Sequence, residues 1–139
     1  MEKDMNVLIV DDDMVSNFIT ERILVQQGIK KENISIVKNG IEAFNYVNNC
    51  DNFKCPTLIL LDNFMPVASG LDFLIMLDDV DHNKKKEMII VMVSSSTKRF
   101  LEIEEDIYKK NNIDLTLEKP INHEKINRVK EHYKNRKLN

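Results

Sequence analysis

The sequence predicts an α/β domain, a parallel sheet covered by helices. Three observations predict it. Strand-like and helix-like segments alternate five times along the 139 residues, as they do where crossover helices join parallel strands. The runs Val7-Leu8-Ile9-Val10 and Leu58-Ile59-Leu60-Leu61 are apolar without a break, as strands buried on both faces require. Each run then ends in acid, Asp11-Asp12 in one case and Asp62 in the other. That is the strand edge where open α/β sheets bind their ligands.

The elements follow in order. After the first strand, Val15, Phe18, Ile19 and Ile23 recur at near-helical spacing, and Gly28 marks the stop. Ile34-Ser35-Ile36-Val37 reads as a short second strand. Asn39 opens a second helix, with Glu42 three residues on as its capping partner, and Ile41, Phe44 and Val47 form its stripe. Beyond the Asp62 strand come Met65-Pro66 and a loop. Ser69 then caps a third helix that turns Leu71, Leu74 and Leu77 inward. His82 to Glu87 reads as a solvated polar loop. Met88 to Val93 is a fourth strand, ending at Ser94-Ser95-Ser96. Phe100, Ile103 and Ile107 mark a fourth helix, Ile113 to Leu117 a fifth and weaker strand, and Ile126, Val129 and Tyr133 the last helix. Lys119-Pro120 lies between those two.

A hydrophobic content of 42% over this length fits one compact domain with its own core. A net charge of −3 and a pI near 5.6 argue against a general nucleic-acid binder. The late basic residues Lys125, Arg128, Lys130, Lys134, Arg136 and Lys137 are interrupted by Glu124 and Glu131 and read as a solvated face. No apolar stretch approaches the roughly 20 residues of a membrane helix. The amino terminus lacks a signal-peptide pattern, so a cytoplasmic protein with no membrane partner is expected. Cys50 and Cys55 have no second pair or nearby His to complete a zinc set. In a cytoplasmic protein they are expected to be reduced, partly buried thiols. His82, His123 and His132 are polar-flanked and read as surface residues.

Four strands thus deliver functional groups to one sheet edge: Asp11 and Asp12, Asp62, Ser94, and Lys119. Singly, each has a plainer role as a helix cap, a turn residue or a solvated loop cation. Together they supply acid, hydroxyl and ammonium, the parts that phosphoryl transfer needs. Crowded carboxylates repel unless something cationic sits among them. An all-oxygen set suits Mg2+, which uses few protein ligands and keeps waters. A carboxylate can also be the phosphoryl nucleophile. Asp13 reads as a helix-capping or solvated acid, leaving Asp11 and Asp12 as the site pair.

At this level of detail the chain resembles a response-regulator receiver domain of the chemotaxis type. The matching motifs are Val10-Asp11-Asp12, Asn39-Gly40-Ile41-Glu42-Ala43, Asp62-Asn63-Phe64-Met65-Pro66 with Gly70, Val93-Ser94-Ser95, and Lys119-Pro120. They run in family order over nearly the whole chain. The resemblance implies a flavodoxin-like, doubly wound, five-stranded parallel sheet with five helices, residues 1–139 forming a single receiver domain with no output domain. It implies Asp62 as phosphoacceptor. It implies Mg2+ held by Asp11, Asp12, Asp62 and the backbone carbonyl of Phe64. Ser94 would hydrogen-bond a phosphoryl oxygen, Lys119 would pair with Asp62 and then with the phosphoryl group, and Ser95 would leave room for it. The implied donor is a histidine kinase or histidine phosphotransfer protein, the implied output a downstream protein. Thr116 stands where the family commonly carries an aromatic, and Phe64 and Ser96 occupy its variable positions beside the site.

Three other readings compete. A haloacid-dehalogenase-like phosphohydrolase using Asp11 fits Asp11-Asp12-Asp13-Met14-Val15, Ser94 and Lys119, but it needs a further acidic motif and leaves Asp62-x-x-Met65-Pro66 unexplained. A flavin-binding module would need a phosphate loop where this chain has acids. A degenerate receiver acting only as an interaction module would not need all five site positions.

Overall fold

The computed structural model describes residues 4–51, 53–95 and 113–138. Its sheet has strands β1 (Val7–Val10), β2 (Ile34–Val37), β3 (Leu58–Asp62), β4 (Ile89–Ser94) and β5 (Leu115–Glu118). All neighbours pair parallel, in the order β2-β1-β3-β4-β5. The described helices are α1 (Met14–Gln26), α2 (Gly40–Asn49), α3 (Gly70–Met76), a one-turn α4 (His82–Lys85) and α5 (His123–Leu138). This is the flavodoxin-like doubly wound order, whose switch point falls between β1 and β3. Asp11 and Asp62 flank that crevice.

The alternation of side chains splits the apolar strands between two cores. Val7, Ile9, Leu58, Leu60 and Val91 face one layer with Leu24 of α1 and Ile126, Val129 and Tyr133 of α5. Leu8, Val10, Ile59, Leu61 and Met92 face the other with Ala43 and Val47 of α2 and Phe73 and Leu74 of α3. Each such side chain contributes about 1.5–3 kcal/mol by leaving water, and the continuous runs of β1, β3 and β4 serve both layers at once.

The caps form as expected. The Asn39 side chain accepts from the Glu42 N–H at 2.9 Å. Ser69 and Asp72 complete a reciprocal capping box at the start of α3. Leu74 and Leu77 are buried, with Leu71 half-buried. In α2 only Val47 of the expected stripe is fully buried, and Ile41 is exposed.

The structure corrects several expectations. In α1 three of the four apolar residues that announce the helix point outward: Val15 is 67% exposed, Phe18 64% and Ile19 40%, and only Ile23 faces the core. Asn17, Thr20 and Leu24 are buried with it. Cys50 and Cys55 are joined in a disulfide rather than left as thiols. The turn at Asp51, whose carbonyl accepts from the N–H groups of Lys54 and Cys55, folds this segment back. It brings the two Cα atoms to 5.2 Å, within disulfide reach. His82 to Lys85 is a helical turn capped by Asp81, not a loop. Lys84 and Lys85 anchor it by donating to the carbonyls of Asn48 and Leu77. Nor is the late basic face wholly solvated, since Arg136 donates to the carbonyls of Met88 and Lys86 and to Asp114. His132 lies half-buried, 3.5 Å from Asp114. The expected helix at Phe100, Ile103 and Ile107 lies outside the described residues. Among the described residues no helix is long and apolar enough to cross a membrane.

Candidate active site

β1 and β3 end side by side, with Val10 in register with Leu61, so the residues that follow are forced into proximity. Asp11, Asp12 and Asp62 each offer a carboxylate oxygen within 4.8 Å of the others. Asp11 and Asp62 are buried and Asp12 is exposed. Lys119, carried just beyond β5, reaches across with its Nζ 2.7 Å from Asp11 Oδ2 and 3.4 Å from Asp62 Oδ2. The Lys119 N–H donates to the Ser94 carbonyl at 2.8 Å. That bond ties the ends of β4 and β5 together, and Ser94 is itself buried.

Asp11 is fixed from several sides. Its N–H donates to the Val37 carbonyl, and its Oδ1 accepts from the Asp13 N–H at 2.9 Å. Its carbonyl accepts from the Asn17 side-chain amide at 2.8 Å. Asp13 acts as the cap foreseen for it, accepting from the Val15 N–H at 3.0 Å.

Burial pushes the Asp62 carboxyl up; Lys119 pulls it down, Asp11 pushes it up further, and the outcome is about 6 against the ordinary 3.8. The Phe64 N–H, which hydrogen-bonds the same carboxylate, offsets part of that rise. Burial works to lower the Lys119 ammonium, but its bond to Asp11 and the charges of Asp62 and Asp11 outweigh it and hold it above 10.5. Three carboxylates therefore crowd together, and among the described residues Lys119 is ion-paired with two of them, Asp11 and Asp62. The deficit of positive charge and the all-oxygen donor set fit a hard divalent cation such as Mg2+.

The loop after β3 shapes the mouth of the site. Asn63 is buried, its Oδ1 accepting from the Leu71 N–H and its carbonyl from the Gly70 N–H. Gly70 is obligatory here: a Cβ would lie 2.4 Å from the Asp62 carbonyl oxygen. Val67 adopts φ 72°, and the Ala68 N–H bonds the Pro66 carbonyl at 2.8 Å, closing a strained three-residue turn. Phe64 stands exposed at the rim.

Asp11, Asp12, Asp62 and Lys119 are brought together, with the Phe64 backbone against Asp62 and the Ser94 carbonyl on the Lys119 N–H; Ser96 lies outside the described residues. Ser95 is exposed and Thr116 also faces solvent. Asn17 escaped the sequence reading. Its signal, a polar residue at a core-facing helical position, was masked by apolar residues on the other face of α1.

A doubly wound sheet with an acid triad and a lysine at its switch point defines a class of phosphoryl-handling domains. The family follows: residues 7–130 match the model of the response regulator receiver domain, and the chain belongs to that family. It is 29% identical over 103 residues to the two-component response regulator ARR17 of Arabidopsis thaliana, a match covering 68% of this chain and 64% of that relative. The chain thus spans less than two thirds of that relative's length. Among solved structures, a two-component response regulator from Cytophaga hutchinsonii superposes with a TM-score of 0.80 at 22% identity, covering 96% of this chain and 99% of that one. The receiver domain of a sensor histidine kinase from Pseudomonas aeruginosa, with magnesium in its active-site cleft, gives 0.73 at 18% identity over 93% and 96%. A response regulator from Thermotoga maritima in complex with Mg2+ and BeF gives 0.71 at 22% identity over 92% and 98%. At these identities the superpositions establish the fold. The hydrolase rival finds no support, and its second required acid, Asp13, is engaged in capping α1.

Proposed function

We propose that the protein accepts a phosphoryl group on Asp62 from a phosphohistidine and that the modified state switches binding to a downstream protein. The observation that supports this best is Asp62 itself, buried at the end of a central strand between an acid pair and Lys119. A carboxylate oxygen of Asp62 attacks phosphorus while the histidine nitrogen departs, so one P–N bond is exchanged for one P–O bond. Asp11, Asp12, Asp62 and the Phe64 carbonyl would hold Mg2+, which when bound offsets the charge of the acids and of the incoming phosphoryl oxygens. Lys119 is placed to release Asp62 and follow the phosphoryl group, retaining Asp11 as its partner. Ser94 supplies a hydroxyl on the neighbouring strand end.

The donor would be a histidine kinase or histidine phosphotransfer protein in the cytoplasm. Met14, Val15 and Phe18 stand exposed on α1 beside Asp12, an apolar surface suited to a protein donor rather than to a small metabolite alone. Because Thr116 is small and exposed, output would run through the loop after Ser94, not through the swing of a buried ring. We propose that the protein also catalyses its own Mg2+-dependent phosphorylation and dephosphorylation without further enzyme.

Acetyl phosphate with Mg2+ should add a single phosphoryl group, labile to hydroxylamine. Asp62→Asn should abolish it, and Asp12→Ala should abolish its Mg2+ dependence with the labelling itself. Undiminished labelling of Asp62→Asn would sink the assignment, and sustained turnover of p-nitrophenyl phosphate would return the hydrolase reading.

A further inference from the structure

We infer that Asn17 is a positioning residue for the metal-binding acids, acting through the peptide that joins Asp11 to Asp12. The inference rests on the function proposed above. The carbonyl of that peptide belongs to Asp11, ends β1, and accepts from Asn17 Nδ2 at 2.8 Å in a buried contact. The Asp11 N–H is held by Val37 on the near side, and its Oδ1 accepts from the N–H of Asp13, which restrains the peptide that follows Asp12. The Asn17 bond restrains the plane between them, the peptide that precedes Asp12. Asp12 hangs from that plane, and it is the exposed member of the acid triad. Without the bond, the plane can rotate and carry the Asp12 carboxylate away from Asp11 and Asp62.

A second observation separates this from ordinary packing. Asn17 is 7% exposed, yet its Oδ1 is buried with no hydrogen-bond partner among the described residues. Turning the amide over would not help, because it would set two carbonyl oxygens against each other. A buried acceptor left unmade costs stability; leucine, of similar size, would remove that orphan but leave the Asp11 carbonyl without its donor instead. Packing alone thus gives asparagine no advantage over leucine here. What it provides that leucine cannot is the donor to Asp11. Supports of this kind behind metal ligands commonly tune affinity tenfold or more.

The test is Mg2+ binding alone, with no phosphodonor, measured by calorimetric titration of the full chain. Asn17→Leu keeps the volume and removes the donor; Asn17→Ala removes both. We expect Mg2+ to bind about tenfold more weakly to each, while metal-free Asn17→Leu, which exchanges one unpaired acceptor for another, melts near wild type. Affinity within about threefold of wild type in a folded Asn17→Leu overturns the inference. So does a tenfold loss that Asn17→Leu shows only together with a collapse of its metal-free melting transition. If neither variant folds, wild-type NMR decides. The Asn17 side-chain amide signals should shift along the same Mg2+ binding curve as the Asp12 backbone amide, and their immobility refutes the proposal. Wild type that binds no Mg2+ at all refutes the metal site itself, a separate failure.

Discussion

Two charge clusters occupy opposite edges of the same sheet, and they are built on opposite principles. At the amino edge Asp114 is saturated: Oδ2 accepts from the Ile90 N–H at 2.8 Å, and Oδ1 faces Arg136 at 3.2 Å and His132 at 3.5 Å. Arg136 also donates to the carbonyls of Met88 and Lys86. One carboxylate there has donors to spare. At the carboxyl edge three carboxylates crowd together while Lys119 pairs with two of them, Asp11 and Asp62, and Asp62 is left with a raised affinity for protons. The first cluster fastens α5 to the sheet. The second holds unmet electrostatic demand that an incoming cation or proton can satisfy. Identical side-chain types thus serve architecture where supply meets demand and chemistry where it falls short.

The contrast can be broken most directly at Asp62. Its carboxyl titrates near 6 in the folded chain against 3.8 ordinarily, so ionisation disfavours the folded state. At low pH, where the group is protonated folded or unfolded, there is no penalty. As pH rises from about 4 to about 6 the penalty grows, to a limit of about 3 kcal/mol that persists above. Metal-free Asp62→Asn should therefore match wild type near pH 4 and exceed its stability near neutrality by up to that amount. Urea unfolding at the two pH values reads the difference. A variant less stable than wild type at neutrality would show the carboxyl edge to be as well satisfied as the amino edge.

Asp114→Ala should do the reverse. It strands the Ile90 N–H and an Arg136 donor, at a cost of about 2 kcal/mol, while phosphorylation of Asp62 proceeds at the wild-type level. A loss of labelling with intact stability would mean that the amino-edge cluster also serves the reaction. The smallest effect concerns backbone strain, which sits at the carboxyl edge too. Val67→Gly should raise stability by about 1 kcal/mol by relieving a β-branched residue at positive φ. A denaturation midpoint that does not rise would show the turn to be relaxed.

Much of this was legible in the sequence. The unbroken apolar runs gave β1, β3 and β4, and side-chain caps at Asn39 and Ser69 gave the starts of α2 and α3. Because parallel strands all end at one edge, reading the strands also assembled Asp11, Asp12, Asp62, Ser94 and Lys119. The failures share a cause, which is that the deciding partner is remote or is main chain. The spacing of Val15, Phe18, Ile19 and Ile23 reports a helix but not its phase, because apolar residues also lie on the other face at Leu24. Asn17 answers to a carbonyl, and Arg136 to two more, and no pattern of side chains displays those. Redox context spoke for thiols at Cys50 and Cys55, whereas the local turn at Asp51 decided the pairing.

Gly70 closes the account of how such a site is inherited. A methyl group there would meet the Asp62 carbonyl at 2.4 Å and Leu61 Cγ at 3.1 Å, and backbone cannot step aside as a flexible side chain can. A saturating mutational survey scored on signalling should therefore show position 70 as intolerant as the acids. It carries no charge, donor or nucleophile, and no chemical inventory of the site would include it. For this protein the set of residues that heredity must guard is larger than the set that reacts, and the surplus is counted in missing atoms.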